Sequence, residues 1–250
     1  MKWEVKNMLK AVFFDLDGTL LPLHEDEFIK YYFETLYSVL KDKGYEDKNK
    51  LFSSIMEGTK AMYLNDGKRT NREVFYDVFK KYYGDKCVED EPIFIEFYKN
   101  EFRLSKNACK DNPYARKIID FLHENNIDAY LTTNPIFPKE GTLTRMSFID
   151  LKESDFKLIT TYEDCCYCKP NPMYFKTILD KFNLKSDEVI LFGNNDYEDG
   201  ECALKNNIKT YLIKGPYLIH NKNSTHQFDQ IEMSEVISII KSEIIKRSGK

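Results

Sequence analysis

Ala11-Val-Phe-Phe-Asp-Leu-Asp-Gly-Thr-Leu20 is the stretch that decides how this chain is read. Val12, Phe13 and Phe14 form a short unbroken apolar block, the pattern of a strand buried on both faces. Two acids, Asp15 and Asp17, end it. Such strands belong to parallel sheets, whose ligands sit in the crevice beyond the strands' carboxyl ends. Asp15 falls there, and Gly18 permits the sharp turn that follows. An isolated acid pair of this kind most often only terminates a strand and caps a turn, so the rest of the chain has to decide.

Residues 1–8 read as a polar lead-in and Met8 to Asp15 as the first strand. From Glu25 to about Arg103 the spacing is helical. Phe28, Tyr31, Tyr32, Thr35, Leu36 and Val39 recur every three or four residues, and Gly44 follows as a stop. Leu51, Ile55, Met56 and Met62 mark a second helix. A third, through Tyr83, has Asn71 as its expected cap. Pro92 opens a fourth, through Phe102. The rhythm then alternates. Helices are expected over Pro113 to His123, Thr142 to Leu151, Pro172 to Phe182, Tyr197 to Asn206 and Ser234 to Ile245. Between them strands are expected over Ile127 to Thr133, Phe156 to Thr161, Val189 to Phe192 and Lys209 to Ile213. Alternation of this kind implies βαβ units and a parallel sheet. The fold class is therefore α/β: a Rossmann-like three-layer core interrupted, after its first strand, by an all-helical module. The expected division is 1–21 and 111–250 for the core and 22–110 for the helical module.

Composition narrows the function classes. The net charge of -4, from 37 basic and 41 acidic residues well mixed along the chain, argues against a nucleic-acid surface. No apolar run approaches the roughly 20 residues of a membrane span, and Met1-Lys-Trp-Glu-Val-Lys lacks the apolar core of a signal peptide. Cys87, Cys109, Cys165, Cys166, Cys168 and Cys202 suggest no disulfide framework in a chain of this length, so a reducing cytoplasm is expected. Cys165-Cys166-Tyr167-Cys168 has no second Cys or His cluster to complete a four-ligand metal knot. His24 reads as a solvated hinge residue.

Three further polar groups follow predicted strands. Thr132-Thr133-Asn134 ends one, and a hydroxyl there can donate to a phosphoryl oxygen. Lys169-Pro170-Asn171-Pro172 holds a lysine on a stiff backbone, where it can balance clustered carboxylates. Gly193-Asn194-Asn195-Asp196-Tyr197-Glu198-Asp199 offers oxygen atoms suited to a hard cation such as Mg²⁺. Each alone is weak: Thr suits strands, Lys is usually solvated, and Asn and Asp cap helices. Four such groups in order, each after its own strand, carry more weight together.

Together they resemble the haloacid dehalogenase-like superfamily. The first stretch fits the pattern D-x-D-G-T-L at every position. Thr133, with Thr132 as a near alternative, fits the second signature, and Lys169 in K-P-x-P fits the third. The fourth fits at Asp199 but has Asn194 or Asn195 where the family carries an acid, unless Asp196 substitutes by a shifted register. The likeness covers residues 9–20 and about 113–214. It implies Asp15 as nucleophile and Asp17 as general acid and base. Gly18, Thr133, Asn134 and Lys169, with Asp15, would bind the phosphoryl group. Mg²⁺ would be held by Asp15, Asp17, Asn194, Asn195 and Asp199, and the helical module would be a C1-type cap. The implied activity is a Mg²⁺-dependent phosphohydrolase using an aspartyl-phosphate. Phosphomutase, or a phosphate-ligand-binding protein with weakened catalysis, is the alternative. Dehalogenation would leave Asp17 and the fourth loop without a task. The expected partner is a small phosphorylated metabolite, with no nucleic acid and no membrane, and the chain a monomer or weak homodimer. All of this requires Lys169 and Asp199 to lie within a side chain's reach of Asp15.

Overall fold

The computed structural model describes residues 8–248, so all of the polar lead-in except Met8 lies outside the described residues. Six parallel strands form one sheet in the order β3-β2-β1-β4-β5-β6. They are β1 (Ala11–Phe14), β2 (Asp128–Leu131), β3 (Leu158–Ile159), β4 (Val189–Gly193), β5 (Lys209–Ile213) and β6 (Asp229–Ile231). β1 sits centrally, and Phe14 pairs with Leu131 on one side and Phe192 on the other. The chain builds outward from β1 to β3 and then crosses to β4. The crevice between β1 and β4 is thus a topological switch point, where open α/β sheets bind ligands.

All four residues of β1 are 0% exposed, as an apolar run covered on both faces requires. Alternation sends Val12 and Phe14 to one side, where they pack with Leu131, Ile190 and Phe192. The helices on that side are α6 (Ala115–Glu124) and α10 (Val236–Ser248), which bring Ile118, Ile119, Val236 and Ile240. Ala11 and Phe13 face the other side, with Phe175, Ile178 and Leu179 of α8 (Met173–Phe182) and Cys202 and Ala203 of α9 (Cys202–Leu204). The three layers expected from the sequence are present.

Five α-helices lie between β1 and α6. They are α1 (Glu25–Leu40), α2 (Lys48–Tyr63), α3 (Asn71–Tyr83), α4 (Lys86–Glu89) and α5 (Glu91–Lys99), followed by a 3₁₀ helix over Glu101–Ala108. α1 buries Phe28, Tyr32, Phe33, Leu36 and Leu40, one face of a 3.6-residue period. The Tyr32 ring meets those of Tyr98, Phe102 and Phe137. Phe137 follows β2, so this aromatic cluster joins the helices to the sheet.

Several boundaries differ from expectation. Thr70, not Asn71, caps α3: its hydroxyl accepts from Glu73 N while the Glu73 carboxylate accepts from Thr70 N. Asn71 is buried instead and donates to the Pro135 carbonyl at 3.1 Å. The helix opened by Pro92 stops at Lys99, and a 3₁₀ segment continues it. The helix after β2, α7, runs from Lys139 to Ser147 rather than Thr142 to Leu151. The expected helix from Tyr197 begins as a π-helix over Asp196–Glu201. β3 pairs over two residues only, and β6 was not expected, because Asp-Gln-Ile carries no strand pattern. Among the described residues no helix is long and apolar enough to cross a membrane.

Candidate active site

β1 ends at Phe14, and Asp15 is the next residue. Its N–H donates to the Phe192 carbonyl of β4 at 3.0 Å, which fixes its side chain over the crevice. Gly18 turns the chain with φ +81, and a Cβ there would stand 2.2 Å from the Asn194 amide nitrogen. Both the left-handed backbone and the close approach require glycine. Gly18→Ala is accordingly expected to cost about 1–3 kcal/mol of stability, read by denaturant unfolding. It should also displace Asn194 from the site.

Lys169 closes the cluster. Its Nζ lies 2.7 Å from Asp15 Oδ1 and 2.6 Å from Asp199 Oδ1. Lys169 and Asp199 are each 1% exposed. Burial works against the ammonium, but the two carboxylates outweigh it and hold its pKa well above the ordinary lysine value. Burial pushes Asp15 up to about 7; Lys169 opposes that and Asp199 adds to it. The other Asp199 oxygen accepts the N–H groups of Asn194 and Asn195, at 3.0 and 3.1 Å, so this acid also shapes its own loop.

Thr133 lines the cavity beside these groups. Its carbonyl accepts from Tyr174 Oη at 2.9 Å and Thr160 Oγ1 at 2.6 Å, which sets the orientation of that peptide. Thr132 turns into the sheet and donates to the Phe14 carbonyl at 3.2 Å. Asn134 positions its neighbours: its Oδ1 accepts from Lys169 N at 2.9 Å and its Nδ2 donates to Glu198 Oε2 at 2.8 Å. Thr19 Oγ1 stands 3.2 Å from Asp15 Oδ2 and 3.1 Å from Asn194 Oδ1, sharing one proton between them.

The fourth loop separates residues that the sequence left equivalent. Asn194 reaches the site against Gly18. The Asn195 amide oxygen caps the π-helix, accepting from Tyr197 N and Glu198 N at 3.0 Å each. Asp196 does not substitute for the missing acid. Its carboxylate faces the C-terminal loop, accepting from Asn221 N at 2.9 Å and pairing with His220 at 3.0 Å. Glu198, which the sequence reading passed over, lines the cavity. Burial raises its carboxyl to about 7, with Lys169 opposing and Asp199 and Asp15 adding to the rise. The acid-dense run 196–199 was the signal that could have found it.

Arg145 of α7 was also missed. It is 1% exposed, pairs with Asp17 Oδ2, and stacks its guanidinium 4.3 Å from the Phe137 ring centre. No local pattern distinguishes this arginine; only the packing of α7 against the first loop reveals it. The second Asp17 oxygen, Oδ1, is buried without a hydrogen-bond partner. Four carboxylates (Asp15, Asp17, Glu198 and Asp199) therefore face two cations, Lys169 and Arg145. If all are ionised the cluster carries two excess negative charges. All-oxygen donors with that excess suit a hard dication. Among the described residues no three His, Cys, Asp or Glu side chains already form a ligating group. All six cysteines are unpaired as thiols.

The family model described as haloacid dehalogenase-like hydrolase matches residues 12–213. No curated protein sequence matches the chain. Solved structures share its fold at low identity. An HAD phosphatase from Thermococcus onnurineus superposes with a TM-score of 0.60 at 18% identity, covering 92% of this chain and 97% of that one. A 2-haloacid dehalogenase from Pseudomonas syringae pv. Tomato gives 0.61 at 16% identity, covering 96% and 99%. The HAD-hydrolase YfnB from Bacillus subtilis, solved bound to magnesium, gives 0.54 at 18% identity, covering 94% and 99%.

Proposed function

The chain belongs to the haloacid dehalogenase-like hydrolases, and from that premise we propose that it is a Mg²⁺-dependent phosphohydrolase of small phosphomonoesters. The observation that carries the reading is the Lys169 ammonium set between Asp15 and Asp199, at 2.7 and 2.6 Å. One amine thereby holds a buried carboxylate in place and offers positive charge where a phosphoryl group would arrive.

Asp15 attacks phosphorus through its carboxylate, forming an aspartyl-phosphate and releasing the alkoxide. Asp17 donates a proton to that leaving oxygen and later takes one from water. Its partnerless Oδ1 supports this role, since Arg145 occupies only the other oxygen. Thr133, Lys169 and the backbone at Gly18 bind the transferring group, and Asn134 positions Lys169. Asp15, the Asp17 main-chain carbonyl, Asp199 and the amide oxygen of Asn194 are the groups that would hold Mg²⁺, with Glu198 adding negative charge nearby; Asn195, expected from the sequence to join them, has its amide oxygen committed to the π-helix cap. When bound, the ion screens the nucleophile's charge from that of the phosphate. The helical segment 22–110 acts as a cap that excludes water from the cavity. Six free thiols agree with a cytoplasmic enzyme.

Release of p-nitrophenol from p-nitrophenyl phosphate, with and without Mg²⁺ and with Asp15→Asn as blank, tests the reading. Mg²⁺-dependent release by the native chain alone is expected; release equal to the blank overturns it. The pH profile supplies a second check. Asp15 must be ionised to attack, and burial raises its pKa to about 7. At limiting Mg²⁺, kcat/KM should fall as pH drops through about 7, and saturating Mg²⁺ should move that limb to lower pH.

A further inference from the structure

We propose that the phosphomonoester taken by this site carries an aromatic leaving group with no anionic substituent. The inference rests on the phosphohydrolase reading and names its substrate class. The cavity that begins at Asp15 has a volume of about 550 Å³ and extends up between the helices that precede β2. That is far more room than a phosphoryl group needs and lies within the size range of small-molecule sites. Its upper wall is built from rings, among them Tyr32, Phe33, Phe75, Phe79, Phe94 and Tyr162.

Two features of that wall select the ligand. The first is charge. Lys169 is the only Lys or Arg among the lining residues, and it already faces two carboxylates. The other charged side chains are acids: Glu25 and Asp26 at the start of α1, and Asp17 and Glu198 below. A second phosphate or a carboxylate on the leaving group would enter beside these acids with no second Lys or Arg to receive it; the remaining basic group of the lining is the His24 imidazole, next to Glu25. The second is hydrogen bonding. Four of the lining tyrosines have their hydroxyls engaged with protein groups: Tyr32 and Tyr98 with each other at 3.0 Å, Tyr162 with Glu91 at 3.3 Å, and Tyr63 with Asn134 at 3.2 Å. Away from those acids the wall offers a polyol little to bond, whereas a flat ring meets ring faces and edges.

A panel at saturating Mg²⁺ tests this: the esters benzyl phosphate, 4-carboxybenzyl phosphate and glycerol 3-phosphate, and the acyl phosphate acetyl phosphate. The two benzyl esters have nearly equal leaving groups, so their ratio reads recognition. Benzyl phosphate should exceed glycerol 3-phosphate in kcat/KM by about 30-fold or more and 4-carboxybenzyl phosphate by about 100-fold. Thr59 lines the same vault, and Thr59→Trp should lower the benzyl-to-acetyl phosphate ratio about tenfold by filling it. Acetyl phosphate turnover with glycerol 3-phosphate or 4-carboxybenzyl phosphate equal to benzyl phosphate overturns the aromatic assignment alone. Inertness toward the whole panel overturns the phosphohydrolase reading. Calorimetric binding of benzylphosphonate against phosphonoacetate still reads the preference in that case, and equal affinity, or tighter binding of phosphonoacetate, overturns it.

Discussion

Asp15→Asn is expected to abolish turnover and, in the same protein, to raise the melting temperature. The first effect follows from losing the nucleophile: the amide cannot form an acyl-phosphate, and the rate should fall by about 10⁴-fold or more, to background. The second follows from burial. Asp15 is 6% exposed and its pKa stands at about 7 against an ordinary 3.8. The folded chain thus binds this proton more tightly than the unfolded chain does. Stability from this group therefore falls as pH rises from 3.8 to about 7, and the full cost persists above that. The displacement corresponds to about 4 kcal/mol at most. Asn carries no charge to desolvate, so in EDTA at pH 8 the variant should melt several degrees higher. The gap should close as the pH is lowered toward 4, where the native Asp15 is protonated too. A variant that melts lower at pH 8, or a gap independent of pH, would show that the Lys169 pair contributes more than the burial costs.

Lys169→Met should have the opposite effect on stability. Its ammonium is the shared partner of Asp15 and Asp199, and both carboxylates are almost fully enclosed. Removing one member of a buried ionic cluster leaves uncompensated charge and costs about 3–5 kcal/mol. For a chain of this size that lowers the melting temperature by roughly 10 °C. Turnover should vanish as well, since no other Lys or Arg lines the cavity. Lys169→Arg should not restore it, because a planar fork does not fit a buried site that sets a point charge between Asp15 and Asp199. The pair can be separated by a double-mutant cycle. Asp15→Asn should lessen the damage in the Lys169→Met background, because one of the stranded charges is then gone. Additive losses would mean that the two side chains do not share an ionic cluster.

The parallel sheet was legible from a few residues. Val12-Phe13-Phe14 ended by an acid, and the apolar block at 189–192, fixed strands because a continuous apolar run must be covered on both faces, and 209–213 closes on the apolar Tyr211-Leu-Ile213. β5 falls on the expected residues, Lys209–Ile213. Strands with mixed composition were less legible: β3 shrank to two residues and β6 escaped notice. Their pairing depends on the neighbour already in the sheet more than on their own residues.

The site divides along the same line. That Asp15, Thr133, Lys169 and Asp199 would gather at one rim could be read from the chain, because each follows its own strand of a parallel sheet and the carboxyl ends of such strands share one edge. Which polar neighbour turns toward that rim could not. Asn195 caps the π-helix, Asp196 faces the C-terminal loop and Glu198 enters the cavity, and the three are adjacent or nearly so in sequence. Arg145 reaches Asp17 across more than a hundred residues of chain. Sequence period and punctuation fix strands, helices and turns, since those depend on local backbone sterics and burial. The direction of a side chain at a helix start, and the partner of a buried charge, depend on groups brought near only when the layers pack, and the tertiary structure alone decided them.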